Sequence, residues 1–199
     1  DGDTVLVKPG QYVITEPVTF KGKAILVKSE GGADETTIRM SAAPADPDRA
    51  SVVIFENGES EQSVLEGFTL TGGTGTLFTL LDGGLIGGGG VLFTPPCAPR
   101  IIGCVMVENR APIGGGGLCW DGASPTIENS QIVRNTGTLG AGLCGISAIA
   151  RPPAQRSGPV LRFCTVDENT GMASDGHSNG GGLFFLNGSA TLTGCSISR

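Results

Sequence analysis

The chain has 199 residues, with 34 glycines, 12 prolines and 39% hydrophobic residues, a balance that allows one cored domain with frequent turns and excludes disorder or a bundle of long helices. Its formal charge is −6 and its 13 basic residues are scattered, so nucleic acid is not an expected partner. The most apolar region, residues 77–93, is broken by Asp82 and by glycines, and no stretch is long and apolar enough for a membrane-spanning helix.

The chain opens on Asp1-Gly2-Asp3-Thr4 running straight into a strand-like Val5-Leu6-Val7. Neither a Met nor a signal peptide precedes this strand, so the expectation is a fragment or processed form of a longer parent, whose neighbouring domains would be partners. Further along, one pattern recurs: apolar-x-x-small-x-apolar-x-x-Asn. A degenerate copy comes first, as Leu65, Phe68, Leu70 and Gly73. Ile101, Cys104, Met106 and Asn109 follow, then Ile127, Ser130, Ile132 and Asn135, then Leu161, Cys164, Val166 and Asn169, and last a cut-off Leu192, Cys195 and Ile197. Each complete copy runs on to a glycine cluster that enters an apolar strand, at Gly88, Gly115, Gly140 and Gly180. From Cys104 the small residues are 26, 34 and 31 apart. The strands are therefore constant and the loops absorb the difference, as in a solenoid.

A unit of two or three short strands cannot bury its apolar face alone, so the units must stack, about 4.8 Å apart in parallel strands. Residues 101–106, 127–132, 161–166 and 192–197 are then expected as stacked strands on one face. Ile101, Ile127, Leu161 and Leu192 form one inward ladder, and Met106, Ile132, Val166 and Ile197 another. Glycines are expected at positive-φ corners, and the Asn residues in left-handed turns.

These repeats, with the opening Gly2-Asp3-Thr4-Val5-Leu6-Val7-Lys8-Pro9-Gly10-Gln11-Tyr12, resemble the bacterial parallel β-helix repeat group, related in fold to pectate lyases. The resemblance implies an all-β, right-handed single-stranded parallel β-helix of about six to seven coils with no sizeable helix, in a protein secreted or held at the bacterial cell surface. One domain over 1–199 is expected, with insertions at 74–87, 147–159 and 170–179. A short capping helix usually precedes the Gly-Asp-Thr segment in that family; its absence fits the fragment reading. The fold itself hosts lyases, hydrolases and adhesins, so it does not fix a function.

Cys104, Ser130, Cys164 and Cys195 read as an inward column of small residues, with free thiols. Cys119/Cys144 and Cys164/Cys195 lie on adjacent rungs, near enough for disulfides, though parallel side chains disfavour the bond. There is no C-x-x-C spacing and His177 is the only histidine, so no metal site is expected. Glu108, Arg134 and Glu168, with Arg199 next in line, alternate in sign as an outward charge ladder needs. The glycine clusters lack the Lys-Ser/Thr of a phosphate loop.

Loop length gives the functional clue. Residues 74–87 and 170–179 are long, while 110–114 and 136–139 between them are short. Two walls thus flank a floor, roughly 14 Å apart over three rungs. Asp82 lies on one wall, Asp175 and His177 on the other, and Arg110 and Thr136 on the floor, and these five residues are the expected ligand-binding set. No catalytic constellation is legible. The leading expectation is a non-catalytic solenoid that binds polysaccharide without a cofactor. The alternative is a polysaccharide lyase or glycoside hydrolase, for which calcium would be the expected cofactor.

Overall fold

The computed structural model describes residues 1–80, 83–146, 158–172 and 180–198. Their 26 strands form four sheets of seven, seven, six and six strands, and no helix occurs among the described residues. One coil shows the path. Arg100–Ile102 lies in the first sheet, Val105–Val107 in the second, Arg110–Gly114 in the third and Leu118–Asp121 in the fourth, after which Thr126–Glu128 returns to the first. Neighbours in the first, second and fourth sheets are all parallel. The chain is a parallel β-helix of seven stacked rungs, each with up to four strands rather than two or three.

The repeat segments are not single strands on one face. Ile101 and Cys104 both point inward and are fully buried, yet they are three residues apart, and strict alternation cannot place both on the same face of one strand. A left-handed residue between them resolves the conflict by turning the chain onto the second sheet. This corner is occupied on successive rungs by Gly67, Gly103, Asn129, Phe163 and Gly194, all at φ between 51° and 78°. The small-residue column expected beside it is present, with Cys104, Ser130 and Cys164 buried and Cys195 part-exposed.

The second corner corrects the expectation for asparagine. Residues immediately before the Asn column take the left-handed turn: Gly72, Glu108, Arg134 and Glu168 have φ between 53° and 76°. Asn109, Asn135 and Asn169 themselves are buried and stacked. Asn135 Nδ2 donates to Met106 O (2.9 Å) and to Asn169 Oδ1 (3.0 Å), while Asn135 Oδ1 accepts from the backbone N of Asn109 (3.0 Å) and from its Nδ2 (3.2 Å). The ladder thus satisfies backbone groups that the corner removes from strand pairing. Outside it, Arg134 lies 3.6 Å from Glu108 and 3.7 Å from Glu168, which is the expected charge ladder; Arg199 lies outside the described residues.

Inside, the fourth sheet contributes a stack of Phe55, Phe93 and Trp120 in register. Phe55 and Phe93 are stacked with nearly parallel rings, centroids 5.5 Å apart, and Phe20 extends the stack at 4.9 Å from Phe55. On the next rung Gly145 has no side chain, and the Trp120 ring fills that space: a Cβ there would fall 2.3 Å from Trp120 Cζ2.

Candidate functional site

Arg110 and Thr136, the expected floor residues, lie on the third sheet. Arg110, Thr136 and Thr170 are register partners on three successive rungs, with Arg110 and Thr170 exposed and Thr136 half-buried. The short linkers of the sequence reading are themselves strands, Arg110–Gly114 and Thr136–Leu139. Asp82, Asp175 and His177 lie outside the described residues, as do positions 147–157 of the second insertion.

The long segment 74–87 is an antiparallel hairpin, Gly75–Leu80 against Gly83–Gly87, inserted into the third sheet between Arg49–Ala50 and Arg110–Gly114. Its paired Phe78 and Leu85 pack with Leu139 and Phe184 over Ile54, Leu92, Cys119, Cys144 and Ile146. That is a second apolar cluster on the outer side of the fourth sheet. The hairpin therefore has a packing role as a roof, because the fourth sheet is apolar on both faces and must be covered on both.

Another polar surface lies on the outer face of the first sheet. Here an open groove of about 620 Å³ is lined by Glu61, Gln62, Val64, Arg100, Thr126, Glu128 and Arg162. Glu128 sits at its centre, between arginines on the rungs before and after. Arg100 NH2 donates to Glu128 Oε2 at 2.7 Å and Arg162 NH1 donates to Glu128 Oε1 at 3.2 Å. The hydrogen bond from Arg100 holds the Glu128 carboxyl below its ordinary pKa against the opposing effect of partial burial, and Arg162 adds to it. One carboxylate thus fixes two guanidinium groups, each with N–H donors left to face the groove. Thr126 and Gln62 add a hydroxyl and an amide. The lining suits a polar, hydroxyl-rich molecule.

All six cysteines are free. Cys119 and Cys144 are register partners, fully buried, and the hydrogen bond between the thiols, followed by burial, pushes Cys119 well up. Burial likewise pushes Cys104 up to about 11. Burial makes Cys104 and Cys119 packed thiols. Among the described residues no group of three or more His, Cys, Asp or Glu is placed to hold a metal ion.

Comparison with protein-family models, curated proteins and solved structures finds no match to this chain. The sequence reading overlooked the groove because its residues come from four separate coils and from outward positions that the repeat leaves variable. The available signal lay in the two outward columns that flank the inward apolar ladder: Arg100 precedes Ile101, whereas Glu128 and Arg162 follow Ile127 and Leu161.

Proposed function

We propose that this chain is a non-catalytic β-helix that binds polysaccharide along the outer face of its first sheet, as a secreted or cell-surface protein. The observation that carries the reading is the clamp of Glu128 between Arg100 and Arg162 on the floor of an open groove. Its donors are held in place before any ligand arrives, which lowers the ordering cost of binding. The groove is open at its surface and crosses several rungs, a shape for an extended chain rather than an enclosed small molecule. The repeats that resemble those of bacterial surface β-helices support the same reading.

The row of Arg110, Thr136 and Thr170 on the third sheet is the competing face. The test of function is retardation of the protein in native gels containing neutral or uronic polysaccharides, with and without calcium. Each mixture is also assayed for new reducing ends and for unsaturated products. Retardation without depolymerisation is expected; release of shorter chains would replace the binding reading with a lyase or hydrolase.

A further inference from the structure

Seven non-glycine residues have positive φ among those described: Lys21, Glu108, Asn129, Arg134, Phe163, Glu168 and Asn187. Two are asparagines, which tolerate this region, and Glu108, Arg134 and Glu168 pair with one another across rungs. Lys21 and Phe163, both at φ 54°, have neither justification, and Phe163 is the aromatic of the two. A bulky residue in the left-handed region is strained, and burial would be the usual compensation for an aromatic. Here the side chain is 66% exposed. The equivalent residues on the other rungs, Gly67, Gly103, Asn129 and Gly194, show that the corner forms without it.

Two further observations indicate what the ring does. Phe163 directly follows Arg162, whose guanidinium lines the groove, and occupies the corner at which the Val160–Arg162 strand ends. Its ring lies over Gly194 on the next rung, where a Cβ would fall 2.7 Å from Phe163 Cδ1; the glycine gives the ring a seat. The neighbours Asn129, Arg162 and Thr193 are exposed polar residues, so the ring is a single aromatic in polar surroundings and not part of an apolar protein-docking patch. One flat apolar surface beside several fixed donors matches a sugar ring that has C–H groups on one face and hydroxyls at its edge.

We propose that Phe163 is the stacking platform of the groove, receiving the C–H face of a gluco- or galacto-configured hexose while Arg162 hydrogen-bonds that sugar's hydroxyls. The proposal rests on the carbohydrate reading of this face and adds the residue that selects among sugars. Phe163→Gly and Phe163→Asn should melt at the same temperature as the parent or higher, by about 2–4 °C, because the strain is relieved. In gels containing hydroxyethylcellulose or galactan their apparent affinity should fall about tenfold or more, while Phe163→Trp keeps it. A lower melting temperature for both Phe163→Gly and Phe163→Asn would make the ring a structural element and overturn the proposal. Unchanged affinity of these variants, with the parent protein still retarded, would overturn it while leaving the binding face intact. Failure of the parent to be retarded in any gel would remove both.

Discussion

Two corners of this β-helix face the same difficulty, buried backbone groups that the strands cannot pair, and solve it differently. Between the second and third sheets the solution is periodic: Asn109, Asn135 and Asn169 occupy equivalent places on successive rungs and each serves its neighbours. Between the fourth and first sheets it is a single residue. Glu59 is 1% exposed, and its carboxylate accepts from the backbone N of Gly22 (2.9 Å), the backbone N of Asn57 (2.8 Å) and the Cys97 thiol (3.2 Å). It therefore braces segments from three coils at once. Amides repeated along a column give a corner that is indifferent to pH, whereas one buried carboxylate gives a corner that depends on its charge.

The largest expected effect comes from breaking the periodic corner in its middle. Asn135→Ala leaves the N of Asn109 without its acceptor and takes one donor each from the carbonyl of Met106 and from Asn169 Oδ1, which keeps only the backbone N of residue 135. Unmade bonds of buried groups cost about 1–3 kcal/mol apiece, so denaturant unfolding should show a loss of about 3–5 kcal/mol. Its sequence neighbour is the control. Arg134→Ala removes only exposed ion pairs at 3.6 and 3.7 Å and should cost under about 1 kcal/mol. Comparable losses for the two variants would show that the amide ladder is not what holds this corner.

A smaller effect, with a sign set by pH, is expected at the other corner. Burial pushes the Glu59 carboxyl up, but the N–H groups of Gly22 and Asn57 and the Cys97 thiol more than offset this, so it ends below its ordinary value of 4.5. A carboxyl lowered on folding contributes stability above its unfolded pKa and loses it as pH falls through the folded value. Cys97, pushed up to about 12 by burial and by the hydrogen bond to Glu59, stays protonated throughout the range that matters here. Glu59→Gln should cost about 1–3 kcal/mol at pH 7, and its melting temperature should fall less steeply than the parent's between pH 5 and 3. Parallel pH profiles would mean that Glu59 is not the acid-sensitive brace.

The same contrast explains what could be read from the sequence. A corner built by repetition leaves an Asn at the same place in each copy, so the solenoid, its ladders and its rung spacing were legible. Even there, the pattern concealed which residue turns. The three-residue step from Ile101 to Cys104 was the trace of the first corner, and it passed for one strand because Val105 and Met106 resume the alternation. Glu59 leaves no trace, because in Glu56-Asn57-Gly58-Glu59-Ser60-Glu61 nothing distinguishes the carboxylate that turns inward from those that face water. The paired strands Gly75–Leu80 and Gly83–Gly87 were equally hidden, since the segment 74–87 read as a long loop. Arg110 and Thr136 are register neighbours on the third sheet, while the Arg100–Glu128–Arg162 clamp on the first was missed. Outward positions carry no periodic signal when each rung contributes a different residue.

The binding face is likewise a choice between a repeated surface and an inserted one, and one titration decides it. The polysaccharide that retards the parent protein most is measured against three proteins of verified fold: the parent, Arg100→Ala with Arg162→Ala, and Arg110→Ala with Thr136→Ala. The account predicts that the first double variant loses about tenfold or more in affinity, as expected for removing fixed hydrogen-bond donors worth at least about 1.4 kcal/mol together. The second should bind as the parent does. Loss of affinity in the Arg110/Thr136 variant, with the Arg100/Arg162 variant unaffected, would contradict the groove on the first sheet and locate the site on the third.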